Sequence, residues 1–99
     1  MENKEIKIET GYKIHTLKTD PDVFHDVLIG LKKYEIRYND RNFNVGDDLY
    51  LKETKHTGDE MSNGEGLIYT GRCTMRTVAH ILEGPVYGLM ENWVIMSFV

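Results

Sequence analysis

The sequence is short of cysteine, of long apolar runs and of excess positive charge, and each shortage excludes something. One cysteine, Cys73, cannot close an internal disulfide. It falls in a stretch that reads as a strand and is expected to be a small buried filler rather than a reactive thiol. No apolar run approaches the roughly 18 residues that span a bilayer. Met1 to Thr10 is charged rather than apolar, which argues against a signal peptide there. These shortages point to a reducing cytoplasm and to no membrane partner. The net charge of −4 argues against indiscriminate binding to phosphate backbones. His15, His25, His56 and His80 show no metal-ligand spacing and no cysteine pair accompanies them, so neither metal nor cofactor is expected. The glycines are scattered among turns, with no phosphate-cradling loop and no Gly-x-Ser-x-Gly elbow.

What is present suits one small domain. A chain of 99 residues with 40% hydrophobic content builds one modest core. Residues 1–10 read as a loose leader or edge strand, and residues 11–99 as the single domain. Charge is uneven along it. Lys13 to Arg41 holds six basic residues against five acidic ones, while Asn42 to Thr70 holds two against six. One end is therefore expected to be locally basic while the whole stays acidic.

Tyr12 to Lys18 reads as a strand with Lys13, His15 and Leu17 on one face. His15 could face a cleft with Lys18, but a satisfied structural histidine is the simpler expectation. Asp20 and Pro21 then mark a helix start, as N-cap and first helical residue. Phe24, Val27, Leu28 and Leu31 follow the spacing of one buried face, and Gly30 stands where a helix terminates. Lys33 to Asn39 alternates, with Tyr34, Ile36 and Tyr38 on one face and Lys33, Glu35 and Arg37 on the other. Tyr34, Tyr38 and Trp93 are expected in the core, and Tyr50, Tyr69 and Tyr87 as exposed stacking candidates.

Val45-Gly46-Asp47 reads as a tight turn into a strand over Asp48 to Glu53. Thr54 to Gly66 reads as a long polar loop, either a flap or the most mobile internal segment. Arg72 to Leu82 and Trp93 to Val99 are strands, the second apolar on both faces and therefore central. About five strands and one helix predict a mainly β (α+β) fold. A small barrel plugged by the helix hides the sheet edges best; an open α+β sandwich is the alternative.

Gly30 to Arg41 is the candidate working surface. Lys33, Glu35 and Arg37 stand on one strand face about 6–7 Å apart, which suits a carboxylate held between cations. The plain alternative is a solvated face with ion pairs worth under about 1 kcal/mol. A binding site here would use Lys18, Lys32, Lys33, Glu35, Arg37 and Arg41. The cations would meet phosphates, and Glu35 would accept from a base amino group or orient Arg37.

The run His15-Thr16-Leu17-Lys18, then Phe24, Gly30-x-Lys32-x-x-Glu35-x-Arg37 and Asn39-Asp40-Arg41-x-Phe43-x-Val45-Gly46-Asp47 resembles the ASCH branch of the PUA-like superfamily. The nearest likeness is to a small bacterial and phage-associated subfamily of unknown function, and it continues through Ile81-Leu82-Glu83-Gly84 and Tyr87-Gly88-Leu89. The resemblance implies a PUA-like β-barrel with a helix beside a cleft, RNA or a nucleotide as partner, and Lys32, Glu35 and Arg37 as cleft residues. The ligand is then expected near the C-terminus of the helix. One ASCH branch hydrolyses acylated cytidine with a lysine, a threonine and a distant glutamate. Lys32 stands at the lysine position, but Glu35 replaces the threonine, and Glu83 is only a loose candidate for the glutamate. A hydrolase would therefore have to use Lys32 and Glu35 as its catalytic pair. A protein-interaction domain is the third reading.

Overall fold

The computed structural model describes residues 12–99. The leader expected over residues 1–10 lies outside the described residues. The elements are β1 (Ile14–Thr19), α1 (Pro21–Leu28), β2 (Tyr34–Tyr38), β3 (Asp48–Thr54), α2 (Gly58–Ser62), β4 (Tyr69–Glu83) and β5 (Trp93–Phe98).

Alternation in β1 buries His15, Leu17 and Thr19 and turns Ile14, Thr16 and Lys18 outward. Pro21 opens α1 at the position where its missing N–H costs nothing. Asp20 precedes it, but its side chain makes no cap bond to the helix. Its carboxylate instead accepts from the Gly58 amide at 2.9 Å, tying the start of α1 to the start of α2. Phe24 and Val27 are buried, whereas Leu28 is exposed and Leu31 is 77% exposed, which shortens the expected apolar face. The helix stops at Leu28, and Gly30 takes a φ of +85°. The Leu31 and Lys32 amides then both close on the Asp26 carbonyl and steer the chain away from the core.

The five strands form one mixed sheet in the order β1-β3-β4-β5-β2, with β1 and β3 parallel and the other neighbours antiparallel. β5 lies between β4 and β2, as its two apolar faces predict; Val94, Met96 and Phe98 are buried. β4 is 15 residues long because it serves two partners. Its first part, to Thr77, pairs with β3, and from Val78 onward it pairs with β5. A register shift between Val78 and His80 marks the exchange. Leu17, Phe24, Val27, Phe43, Leu49, Leu51, Val78, Val94, Met96 and Phe98 make the core on the inner side.

The sheet is open, and the closed barrel is not formed. β1 and β2 are its two edges. Side chains rather than backbone bonds span the gap between them: Arg37 donates to the Lys18 carbonyl at 2.9 Å and Arg41 to the Thr16 carbonyl at 2.5 Å. A guanidinium on a three-carbon stem reaches further than a ladder bond, so the edges stand apart and a cleft remains.

Three further expectations need correcting. Thr54 to Gly66 is not a plain loop, since it contains α2. The Thr57 hydroxyl accepts from the Glu60 amide at 3.0 Å, and the Glu60 carboxylate accepts from the Thr57 amide at 2.9 Å, a reciprocal cap. Cys73 is exposed rather than buried. It shares a rung with Lys52 on the outer face, and the Tyr50 hydroxyl lies 3.0 Å from its sulfur. The faces of β2 are the reverse of those expected. Glu35 is buried and Arg37 half-buried on the inner face, while Tyr34 and Tyr38 are 47% and 51% exposed on the outer one. Trp93 is half-buried.

Val45-Gly46-Asp47 does form a turn, closed by the Asp47 amide on the Asn44 carbonyl. Gly46 has a φ of +96°, and the Tyr12 ring lies where a Cβ would clash with it. Asp47 is fully buried beneath this turn. It accepts from His15 Nε2 at 2.8 Å, from the Asn44 amide at 2.9 Å and from the Lys13 amide at 3.1 Å. Burial would raise its carboxyl pKa, but these bonds and the His15 ring outweigh that and hold it below the usual 3.8. His15 is thus a satisfied structural residue, tilted against the Phe43 ring at 4.6 Å.

Candidate cleft between the sheet edges

The gap between β1 and β2 is a cleft of about 620 Å³, within the range of small-molecule sites. β2 delivers Glu35 and Arg37 to its inner wall because residues two apart share a strand face. The turn after α1 brings Lys32 beside them. β1 contributes Leu17 and the Lys18 backbone, and the segment after β2 contributes Asp40, Arg41 and Phe43. α1 contributes its first turn, Asp20 and Val23, rather than its C-terminal turn. The cleft therefore lies at the helix start rather than at the helix C-terminus, with only Lys32 reaching in from the far end. Met61 of α2 and Trp93 of β5 complete the rim.

Glu35 is the organising group. It is 4% exposed and stands opposite Met96, one of the most buried core residues. Lys32 Nζ lies 3.3 Å from its Oε2 and Arg37 Nε lies 3.3 Å from its Oε1. The carboxylate is therefore held between Lys32 and Arg37, not between Lys33 and Arg37. Lys32 also donates to the Tyr34 carbonyl, and its ammonium sits 4.5 Å from the centre of the Tyr34 ring. Arg37 spends its remaining reach on the Lys18 carbonyl.

Five of the six residues expected to bind a ligand meet at the cleft: Lys18, Lys32, Glu35, Arg37 and Arg41. Lys33 does not line it. β2 begins only at Tyr34, so the alternation does not extend to Lys33, which is exposed. Lys18 takes part through its carbonyl, while its residue lies on the exposed face of β1. Asp20, Phe43, Met61 and Trp93 had no sequence signal as site residues, and Asp40 had only its place inside the Gly30 to Arg41 surface. They come from four separate segments that only the fold brings together.

With Lys18 present through its backbone, the lining carries three cationic side chains (Lys32, Arg37, Arg41) against three carboxylates (Asp20, Glu35, Asp40). The basic end expected from the sequence is thus close to balanced where it forms a concave site. Such a lining suits a ligand with both donors and acceptors and little net charge better than a run of phosphates. Glu83 ends β4 exposed and is outside the lining.

A second carboxylate cluster lies outside the cleft. Glu53 accepts from Arg72 at 3.0 and 3.3 Å and from the Thr70 hydroxyl at 2.7 Å. Arg72 first, and Thr70 second, hold its carboxyl below the usual 4.5. The Arg72 guanidinium also lies 5.2 Å from the Phe24 ring centre, so this cluster fastens the β3–β4 irregularity to α1. Among the described residues, no group of three or more His, Cys, Asp or Glu could hold a metal ion. No helix among them is long and apolar enough to cross a membrane.

The profile of a family described as a domain of unknown function, DUF3850, matches residues 14–98, from the first residue of β1 to the last of β5. No curated protein matches the chain.

Proposed function

The chain belongs to the DUF3850 family, and we propose that its cleft binds a single nucleotide, free or within RNA, by the edge of its base. The observation that carries this reading is Glu35. A buried carboxylate costs several kcal/mol of desolvation that a cation pair recovers only in good geometry, and an apolar residue facing Met96 would serve the fold as well. Its two oxygens each receive one donor and retain room for another. Glu35 would accept from an exocyclic amine or ring N–H, the pattern by which carboxylates read bases. Leu17, Val23 and Phe43 offer the apolar wall a flat ring needs, and Arg41, partly exposed at the mouth, is placed to meet a sugar or one phosphate.

The likeness of Gly30-x-Lys32-x-x-Glu35-x-Arg37 to the ASCH branch of the PUA-like superfamily supports the same reading, since that superfamily is associated with RNA. The test is an amide-shift titration with the four mononucleotides and short RNAs. Shifts are expected at residues 17–20 and 32–41, and a bound ligand that moves other amides instead overturns the assignment. N-acylated cytidine belongs in the same series. The close Lys32–Glu35 contact is what a hydrolase would use, and release of the free acid would establish catalysis.

A further inference from the structure

β2 is one strand thick, and its two faces differ in kind. The cleft lies against Glu35 and Arg37. The opposite face exposes Tyr34, Ile36 and Tyr38, which stand across the ladder from Ser97, Ile95 and Trp93 on β5. Tyr38 and Trp93 pack edge-to-face at 6.1 Å and both line the cleft, so the aromatic face and the cleft share a rim. A half-exposed ladder of two tyrosines and an isoleucine on an edge strand costs the fold apolar burial and offers a partner two rings to stack on.

We propose that this ladder is a stacking platform for single-stranded nucleic acid: while one base occupies the cleft, its neighbours in the strand cross the rim and lie on Tyr38 and Tyr34. The proposal rests on the nucleotide reading of the cleft. Three features select this occupant. Tyr34 and Tyr38 stand four residues apart on one strand face with Ile36 between them, about 13 Å, roughly four times the 3.4 Å step of stacked bases. A chain stacking on both rings must therefore be unstacked and fully extended, as a single strand can be and a duplex cannot. The charge also fits. Residues 32–41 carry Lys32, Lys33, Arg37 and Arg41 against Glu35 and Asp40, a local excess of cations in a chain of net −4. Lys32 sits over Tyr34, where it can meet the phosphate between two stacked bases. Finally, the ladder is continuous with the cleft at Tyr38 and Trp93, so one strand can serve both without leaving the surface.

The test compares each 5′-mononucleotide with the single-stranded homotrinucleotide of the same base and with a blunt duplex. Trp93, the one tryptophan in the chain, reports stacking by its fluorescence. For the preferred base, the trinucleotide is expected to bind about tenfold or more tighter than the mononucleotide and to quench Trp93, while the duplex gains nothing. Tyr34→Leu should cut the trinucleotide-to-mononucleotide affinity ratio about tenfold, and Tyr34→Phe should keep it. A ratio near one in the parent, or a ratio unchanged in Tyr34→Leu, overturns the platform. So does a parent dimer that Tyr34→Glu converts to monomer, because a second copy then covers the face. A mononucleotide bound through Glu35 with no trinucleotide gain sinks the platform and leaves the cleft reading. Tyr34-dependent trinucleotide binding indifferent to Glu35→Gln does the opposite. Binding of neither probe sinks both.

Discussion

The Arg37 guanidinium bonds the Lys18 carbonyl at 2.9 Å across the gap between two edge strands that exchange no ladder of their own. The same side chain holds Glu35 through its Nε at 3.3 Å. One residue therefore sets both the width of the cleft and the position of its carboxylate. It also covers an edge acceptor that would otherwise face the cleft unpaired.

Arg37→Ala should accordingly cost about 1–3 kcal/mol, because it removes one partner of a buried carboxylate and uncovers a carbonyl. Urea denaturation measures the loss. Amide exchange should quicken in β1 and β2 while β4 and β5 keep their protection. Equal stability of the parent and the variant would show that the edges are held apart by something else.

Asp47 makes a prediction in acid. Its folded-state carboxyl lies below the usual 3.8, so it contributes stability that is present above that value and lost as pH falls through the folded one. Glu53, held below 4.5, adds a parallel loss over its own range. Asp47→Asn should be less stable than the parent at neutral pH by about 1–3 kcal/mol, since three donors meet a weaker acceptor. The difference should shrink as pH is taken below about 4. Thermal melts across a pH series check it, and a gap that widens in acid would mean that the sign of the linkage is wrong.

The second helix has almost nothing but its cap to hold it, since α2 buries no residue. Thr57→Ala removes the acceptor for the Glu60 amide and should cost that helix about 1 kcal/mol. The effect should be local. Amides of residues 58–64 should exchange several-fold faster while global stability changes little. Unchanged exchange would indicate that the Asp20–Gly58 bond alone holds the segment.

Much of this architecture was legible because alternation and helix-start chemistry are local. The faces of β1, the Asp20-Pro21 start and the central place of β5 all follow from neighbouring residues. Polarity was the weak point. In Tyr34 to Tyr38 the period is clear, but period does not say which face is inward, and aromatics outside with a carboxylate inside invert the usual preference. The outward face of Cys73 is hidden from the sequence for the same reason, since its rung with Lys52 is a matter of register. α2 did carry a signal, Thr57-x-x-Glu60, but flanking glycines and the lack of an apolar stripe hid it. The strand number was legible and barrel closure was not, because the arginine bridges depend on contacts 19 and 25 residues apart in sequence. The cleft shows the same division. That Glu35 is held between cations could be read from one short run, but alternation named Lys33 where the turn after α1 supplies Lys32, and the balancing carboxylates and apolar wall could not be read at all.

Glu35→Gln tests the central claim most directly. Glutamine preserves the shape of the side chain and removes the charge through which a base N–H would be held. Affinity should be measured for the parent and the variant against the same mononucleotides, with dispersed amide spectra confirming that both are folded. The variant is expected to lose about tenfold or more for the preferred nucleotide, the scale of one hydrogen bond to a charged group. Its residual binding should also become more salt-dependent, because Lys32 and Arg37 are left without their counter-charge. A parent that binds a nucleotide no better than Glu35→Gln would contradict the account, and so would a parent that binds none.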